Sequence, residues 1–167
     1  YEKPIYWSVT KVMPATLIRI YEEQGKIDIE KAIQFYLPEL INSDIADISV
    51  RNILDMATGL DCQDEYDDRQ SCYYQYSMAI GDGYREDNAA DNPYDFLKTL
   101  KVSRHAGPGE QFSYSGMNTF VLAWLVEKIT GEPFQDAFTR EIWQHIGAEA
   151  DASFLAYRYG IPLTHGG

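Results

Sequence analysis

The chain has 167 residues, 45% of them apolar, which is long enough for one domain with a real core and too apolar for a disordered segment. Twenty-six acidic against fourteen basic residues give a net charge of −12, which repels phosphate backbones and anionic lipid surfaces and argues against nucleic acid as a partner. No basic stretch leads into an apolar run with a small-residue cleavage site, and no apolar run is long enough to span a bilayer, so the chain as given reads as soluble.

In chain order, the first element is a helix over residues 10–24, where Val12, Ala15, Leu17, Ile18 and Tyr21 recur at helical spacing and Gly25 supplies the stop. Pro14 is tolerated only in a first turn, which puts the helix start near residues 8–11. A short helix over 29–35 is expected to end at Pro38, and in "DISVRNILDMATGL" Ser49 caps a helix that stops at Gly59. Next comes "DCQDEYDDRQ", residues 61–70, where Asp61, Asp64, Glu65, Asp67 and Asp68 crowd together. It lacks the alternating ligands, central glycine and terminal glutamate of a calcium loop and reads as a solvated acidic loop. Cys62 and Cys72 flank it at a spacing that fits no zinc motif. The favoured reading is a local disulfide and a periplasmic or secreted protein; two free thiols in a cytoplasmic protein are the alternative.

Residues 73–80 and 93–101 suggest two more short helices, the second opened by Asn92-Pro93. The turn "AGPGEQFSYSG", 106–116, leads into "MNTFVLAWLVEKITG", where Asn118 or Thr119 is expected to cap and Gly131 to end a helix apolar on nearly every side. Such a helix belongs at the centre of a packed cluster. Pro133 opens a helix to His145, and strand-like composition comes only once, in "ASFLAYRYG", 152–160. One strand makes no sheet, so residues 1–167 read as one partial domain, the helical section of a larger α/β protein with strands missing at one or both ends.

Within "YWSVTK", residues 6–11, Ser8 and Lys11 stand three apart, which on a helix puts their Cβ atoms roughly 5–6 Å from each other. A serine hydroxyl becomes a nucleophile when a nearby base takes its proton, and a desolvated lysine can serve. Ser8 would also lie at a helix N-terminus, where developing negative charge is favoured. The motif alone is weak, since helices often begin with serine. Its company gives it weight: Tyr6 and Trp7 as walls that would keep the amine dry, a buried helix after it, and Tyr114 in a turn about a hundred residues on, a phenol able to relay a proton.

With these stretches in view, the chain resembles the serine β-lactamase and penicillin-binding-protein superfamily, in its class C β-lactamase-like esterase and amidase branch. "SVTK" is similar to the family's nucleophile motif, "EEQGKIDIEKAIQFYLPEL" to the segment after the nucleophile helix, and "ISVRNILDMATGL" to its T-x-R-x-L-L-x-M-x-S-G-L stretch. "PGEQFSYSGMNTFVLAWLVEKITGEPF" resembles the segment carrying Tyr-x-Asn. The resemblance implies the β-lactamase/transpeptidase-like α/β fold, with Ser8 acylated, Lys11 its base partner, Tyr114 the general acid and base, and no cofactor. It implies a serine hydrolase acting on a small ester, linear amide or β-lactam-like substrate. The alternative is a non-catalytic penicillin-recognising or sensor domain.

Two departures qualify that picture. Gly116 replaces the motif's asparagine and Asn118 comes two positions late, which favours ester or short-amide substrates over β-lactams. "HGG", 165–167, spells the family's third motif, H-x-G, but follows Tyr114 too closely and resembles an internal segment before a later helix. The strand with the true motif is therefore expected elsewhere, and the 167 residues alone are expected to be inactive. His105 reads as a turn histidine rather than a base, Tyr73, Tyr74 and Tyr76 as packing residues, and the three histidines share no zinc-ligand spacing.

Overall fold

The computed structural model describes residues 4–156, 158 and 160–167. A 3₁₀ turn, Trp7–Lys11, runs directly into α1 (Val12–Glu23). Pro14 falls in the first turn of α1, and Gly25 takes a left-handed φ of 71° just past its end. Leu17, Ile18 and Tyr21 form its fully buried face.

The helix expected over 29–35 is reduced to a 3₁₀ turn at Ile33–Phe35, and Pro38 opens a second turn, Pro38–Leu40, instead of ending the first. Cross-chain bonds explain the loss. Ile33 N–H donates to Ile48 O, Val50 N–H to Lys31 O and Arg51 N–H to Ile29 O, so these backbone groups pair with residues 48–51 rather than along a helix. Ser49 caps α2 (Val50–Leu54) through the Asn52 N–H, as expected, but the helix stops well before Gly59. Met56 turns left-handed at φ 53°, and residues 56–59 pair with the turn at 105–113: Gly109 N–H to Ala57 O, Ser113 N–H to Met56 O, His105 N–H to Gly59 O. A Cβ at Gly59 would lie 2.2 Å from Ala106 O, so only glycine permits this approach.

Helix α3 (Cys72–Ile80) forms where expected, and α4 (Pro93–Lys98) starts where expected but ends before 101; Ser71 and Asn92 cap them. Helix α5 (Gly116–Thr130) is the central element, with residues 116–126 all buried and Gly131 closing it at φ 73°. Its cap is Ser115, not Asn118 or Thr119, both of which lie inside the helix. Helix α6 (Phe134–Glu141) follows Pro133, and His145 belongs to a separate 3₁₀ turn, Trp143–His145. The core gathers α1, α2 and α6 around α5, with α3 and α4 packed alongside.

Residues 151–156 and 158 adopt neither helix nor strand, contrary to the strand-like reading; Tyr157 and Tyr159 lie outside the described residues. Among the described residues only two isolated antiparallel bridges occur, Ala32 with Ser49 and Leu60 with Arg104. No described helix is long and apolar enough to cross a membrane. Cys62 and Cys72 are joined in a disulfide, Cα atoms 4.9 Å apart, closing the acidic loop against α3.

Candidate active site

Ser8 and Lys11 sit on the 3₁₀ turn rather than in the α-helix proper. In a 3₁₀ turn residues i and i+3 eclipse, which points the lysine back along the serine's own edge. Lys11 Nζ is 3.1 Å from Ser8 Oγ, and it also donates to the backbone carbonyl of His165. Among the described residues no carboxylate pairs with it, and Lys11 is 9% exposed while Ser8 is open to solvent. Trp7, just before the nucleophile candidate, is left-handed at φ 47°, a conformation that costs a bulky residue about 1–3 kcal/mol and that recurs at functional sites. Tyr6 and Trp7 do not wall the amine as expected, being 48% and 69% exposed. The cover comes from Tyr114, whose ring centroid lies 4.7 Å from Lys11 Nζ, and from the 164–166 segment.

The turn carrying Tyr114 is held on both sides. Ser113 N–H donates to Met56 O, while Asp64 takes the Gly116 N–H on its carboxylate at 2.6 Å and gives its own N–H to Tyr114 O at 3.2 Å. The three expected site residues therefore converge, although 103 positions separate Lys11 from Tyr114 along the chain.

Gly116 has no side chain to offer the site, and its space is filled. A Cβ there would lie 3.1 Å from the His165 ring, which is buried with Nδ1 3.0 Å from Tyr76 Oη and Nε2 4.0 Å from an Asp82 oxygen. Asn118 does not stand in for the missing asparagine; it is fully buried, with Nδ2 against the Met56 sulfur. Burial, aided by the Asp64 charge, raises the Tyr73 and Tyr76 phenols well above their ordinary range. Both stay protonated and pack, as expected of them. His105 sits 3.0 Å from the Asp61 carboxylate, in the turn and away from Lys11 and Ser8. The carboxyl of Asp61 is lowered by the Ser103 hydroxyl and by His105.

A family model described as Beta-lactamase matches residues 4–153. The chain belongs to the beta-lactamase family. Over 166 residues it is 31% identical to the 6-aminohexanoate-dimer hydrolase of Paenarthrobacter ureafaciens, covering 99% of this chain and 42% of that protein. A solved structure from Bacillus anthracis, provisionally named a 6-aminohexanoate-dimer hydrolase, superposes with a TM-score of 0.81 at 28% identity over 96% of this chain and 42% of its own. A class C beta-lactamase from Rhodobacter sphaeroides superposes at 0.60 and 20% identity, over 86% of this chain and 35% of its own, a likeness of fold alone. The chain thus spans about two fifths of the length of the relatives it matches. These matches support the beta-lactamase/transpeptidase-like fold for a chain whose described part is helical.

Two contributors escaped the sequence reading of this family member. The carbonyl of His165 leaves no signal in any motif, because every residue carries one. Asp64 was hidden among four like neighbours, and its bonds to Tyr114 O and Gly116 N–H tell it apart.

Proposed function

We propose that this chain carries the nucleophile and proton-transfer residues of a serine hydrolase that works through an acyl-enzyme on a small ester or amide. The observation that carries the reading is the meeting of Ser8 Oγ, Lys11 Nζ and the Tyr114 ring around one amine, in a member of the beta-lactamase family. Lys11, in its neutral form, accepts the Ser8 proton across the 3.1 Å contact as Oγ attacks the substrate carbonyl. The Ser8 backbone N–H is one donor to the oxyanion, and Tyr114 protonates the leaving group. Water then attacks the ester of Ser8, with Tyr114 and Lys11 taking its proton and returning it to the serine.

Gly116 bears on the substrate. Without an asparagine amide to orient a β-lactam, and with the His165 ring filling the space, the site favours an open-chain ester or amide. The relative named for 6-aminohexanoate dimer, an amide, is 31% identical and supports that class. The disulfide supports an oxidising compartment, a periplasm or the cell exterior.

The test is covalent labelling of the intact protein with a fluorophosphonate, alongside turnover of a chromogenic short-chain ester. Labelling at Ser8 and a burst are expected. Ser8→Ala should abolish both, Lys11→Ala should cut turnover by about 10²-fold or more, and Tyr114→Phe should slow it by a similar factor. Absence of label and burst would favour a binding or sensor domain instead, and near-normal rates in Tyr114→Phe would remove that residue from the mechanism.

A further inference from the structure

We propose that Asp64 is a positioning residue for Tyr114, setting the phenol over Lys11 by fixing the backbone at residues 114–116. The inference rests on the serine-hydrolase reading and adds to it a residue from the acidic loop.

Gly116 is the first residue of α5, and its N–H is one of the four that a helix start leaves without an internal partner. A capping side chain ordinarily takes the N–H of the second or third helical residue, not the first, and Ser115 makes no cap bond at all: its Oγ is buried without a partner. Asp64, 52 positions away, is the acceptor for the Gly116 N–H at 2.6 Å, and its negative charge is favourable at a helix N-terminus. Its own N–H reaches Tyr114 O. One residue thus grips the peptide on each side of Ser115 and fixes the direction in which the Tyr114 side chain leaves the backbone.

That direction matters because Tyr114 is 38% exposed and its ring lies with its centroid 4.7 Å from Lys11 Nζ. Asp64 itself is anchored: Tyr66 Oη donates to its second oxygen, Tyr66 packs edge-on against the buried Tyr73, and the Cys62–Cys72 bridge closes the loop two residues before it. The acidic loop, which composition assigns to solvent, reaches the backbone of residues 114–116 through Asp64, by its N–H at Tyr114 O and its carboxylate at Gly116 N–H.

The prediction separates geometry from charge and from bulk stability. In the intact protein, Asp64→Ala should lower kcat/KM for benzyl acetate, whose alcohol must be protonated to leave, by about 10²-fold. For 4-nitrophenyl acetate, whose leaving group departs as an anion, the loss should be smaller by about tenfold, with fluorophosphonate labelling of Ser8 retained. Asp64→Asn keeps an oxygen acceptor and should stay within about threefold of the parent on both esters. Asp64→Glu keeps the charge but displaces the acceptor, and should be slow on benzyl acetate; it carries the test should the alanine variant not fold.

Equal losses of Asp64→Ala on the two esters, an Asp64→Asn as slow as Asp64→Ala, or a full-rate Asp64→Glu would each overturn the assignment. A Ser8→Ala protein that still hydrolyses both esters would remove Ser8 as the nucleophile, and with it the acyl-enzyme reading on which the assignment rests. An inactive Ser8→Ala beside an unimpaired Asp64→Ala would remove only the role of Asp64.

Discussion

A Cβ built on Gly116 would meet His165 at 3.1 Å, so a side chain is crowded at the position where the resemblance puts an asparagine. The ring cannot give way easily, since Tyr76 Oη holds Nδ1 and the surrounding cluster of Tyr73 and Tyr76 is buried. Restoring asparagine should therefore overpack the site: Gly116→Asn is expected to cost about 1–3 kcal/mol by chemical denaturation. In a His165→Ala background the same change should cost less, leaving a coupling energy of about 1 kcal/mol or more in the double-mutant cycle. Strict additivity would mean that the two side-chain spaces are independent. At this scale the sequence could single out Ser8, Lys11 and Tyr114, which the structure brings together, because each offers its chemistry in its own side chain. It was silent on the His165 carbonyl, whose part depends on where the chain returns 154 positions after Lys11.

Among the elements, the starts of α4 and α6 and the end of α5 were legible because Asn92-Pro93, Pro133 and Gly131 are local punctuation, and punctuation survives tertiary context. The segment 29–35 was not, because its N–H groups and carbonyls find partners on residues 48–51, which no periodicity reports. Helix α5 also joins its neighbours through a half-buried carboxyl, that of Glu127. Tyr94 Oη of α4 donates to Glu127 Oε2, and Phe134 N–H at the start of α6 donates to Oε1. Burial raises the Glu127 carboxyl above its ordinary range despite both hydrogen bonds. A folded pKa above the unfolded one means that this group's contribution is fully present below the unfolded value, near ~4.3, and is lost as pH rises through the folded value. Glu127→Gln keeps an acceptor for Phe134 N–H and can donate to Tyr94 Oη. Its stability relative to the parent should therefore improve between pH 4 and pH 7, read from urea midpoints at both pH values. A relative stability that falls over that interval would mean that the carboxylate form is the favoured one.

For the molecule as a whole, the helical architecture was readable from apolar periodicity, and the fold family from four stretches in order, while the strand-like "ASFLAYRYG" misled. Phe154 meets helix instead, packing edge-on against Phe134 and Phe138 of α6, and Leu155 O accepts the Leu163 N–H in a turn-rich segment. The disulfide ties several parts of the molecule together. It joins the acidic loop to α3, whose Tyr73 and Tyr76 face His165, and Cys62 is buried with its sulfur 3.6 Å from Met117 in α5. Its ten-residue separation makes a short loop, for which chain entropy gives about 2.5–3 kcal/mol, so Cys62→Ala/Cys72→Ala should lower global stability by that order. Because the bridge closes the loop next to Asp64, the double variant should also slow ester turnover more than a comparable loss of stability elsewhere in the core. Thiol titration of the native protein should find no free thiol before reduction and two after it. Two reactive thiols in the native protein would remove the bridge from solution, and with it the case for an oxidising compartment.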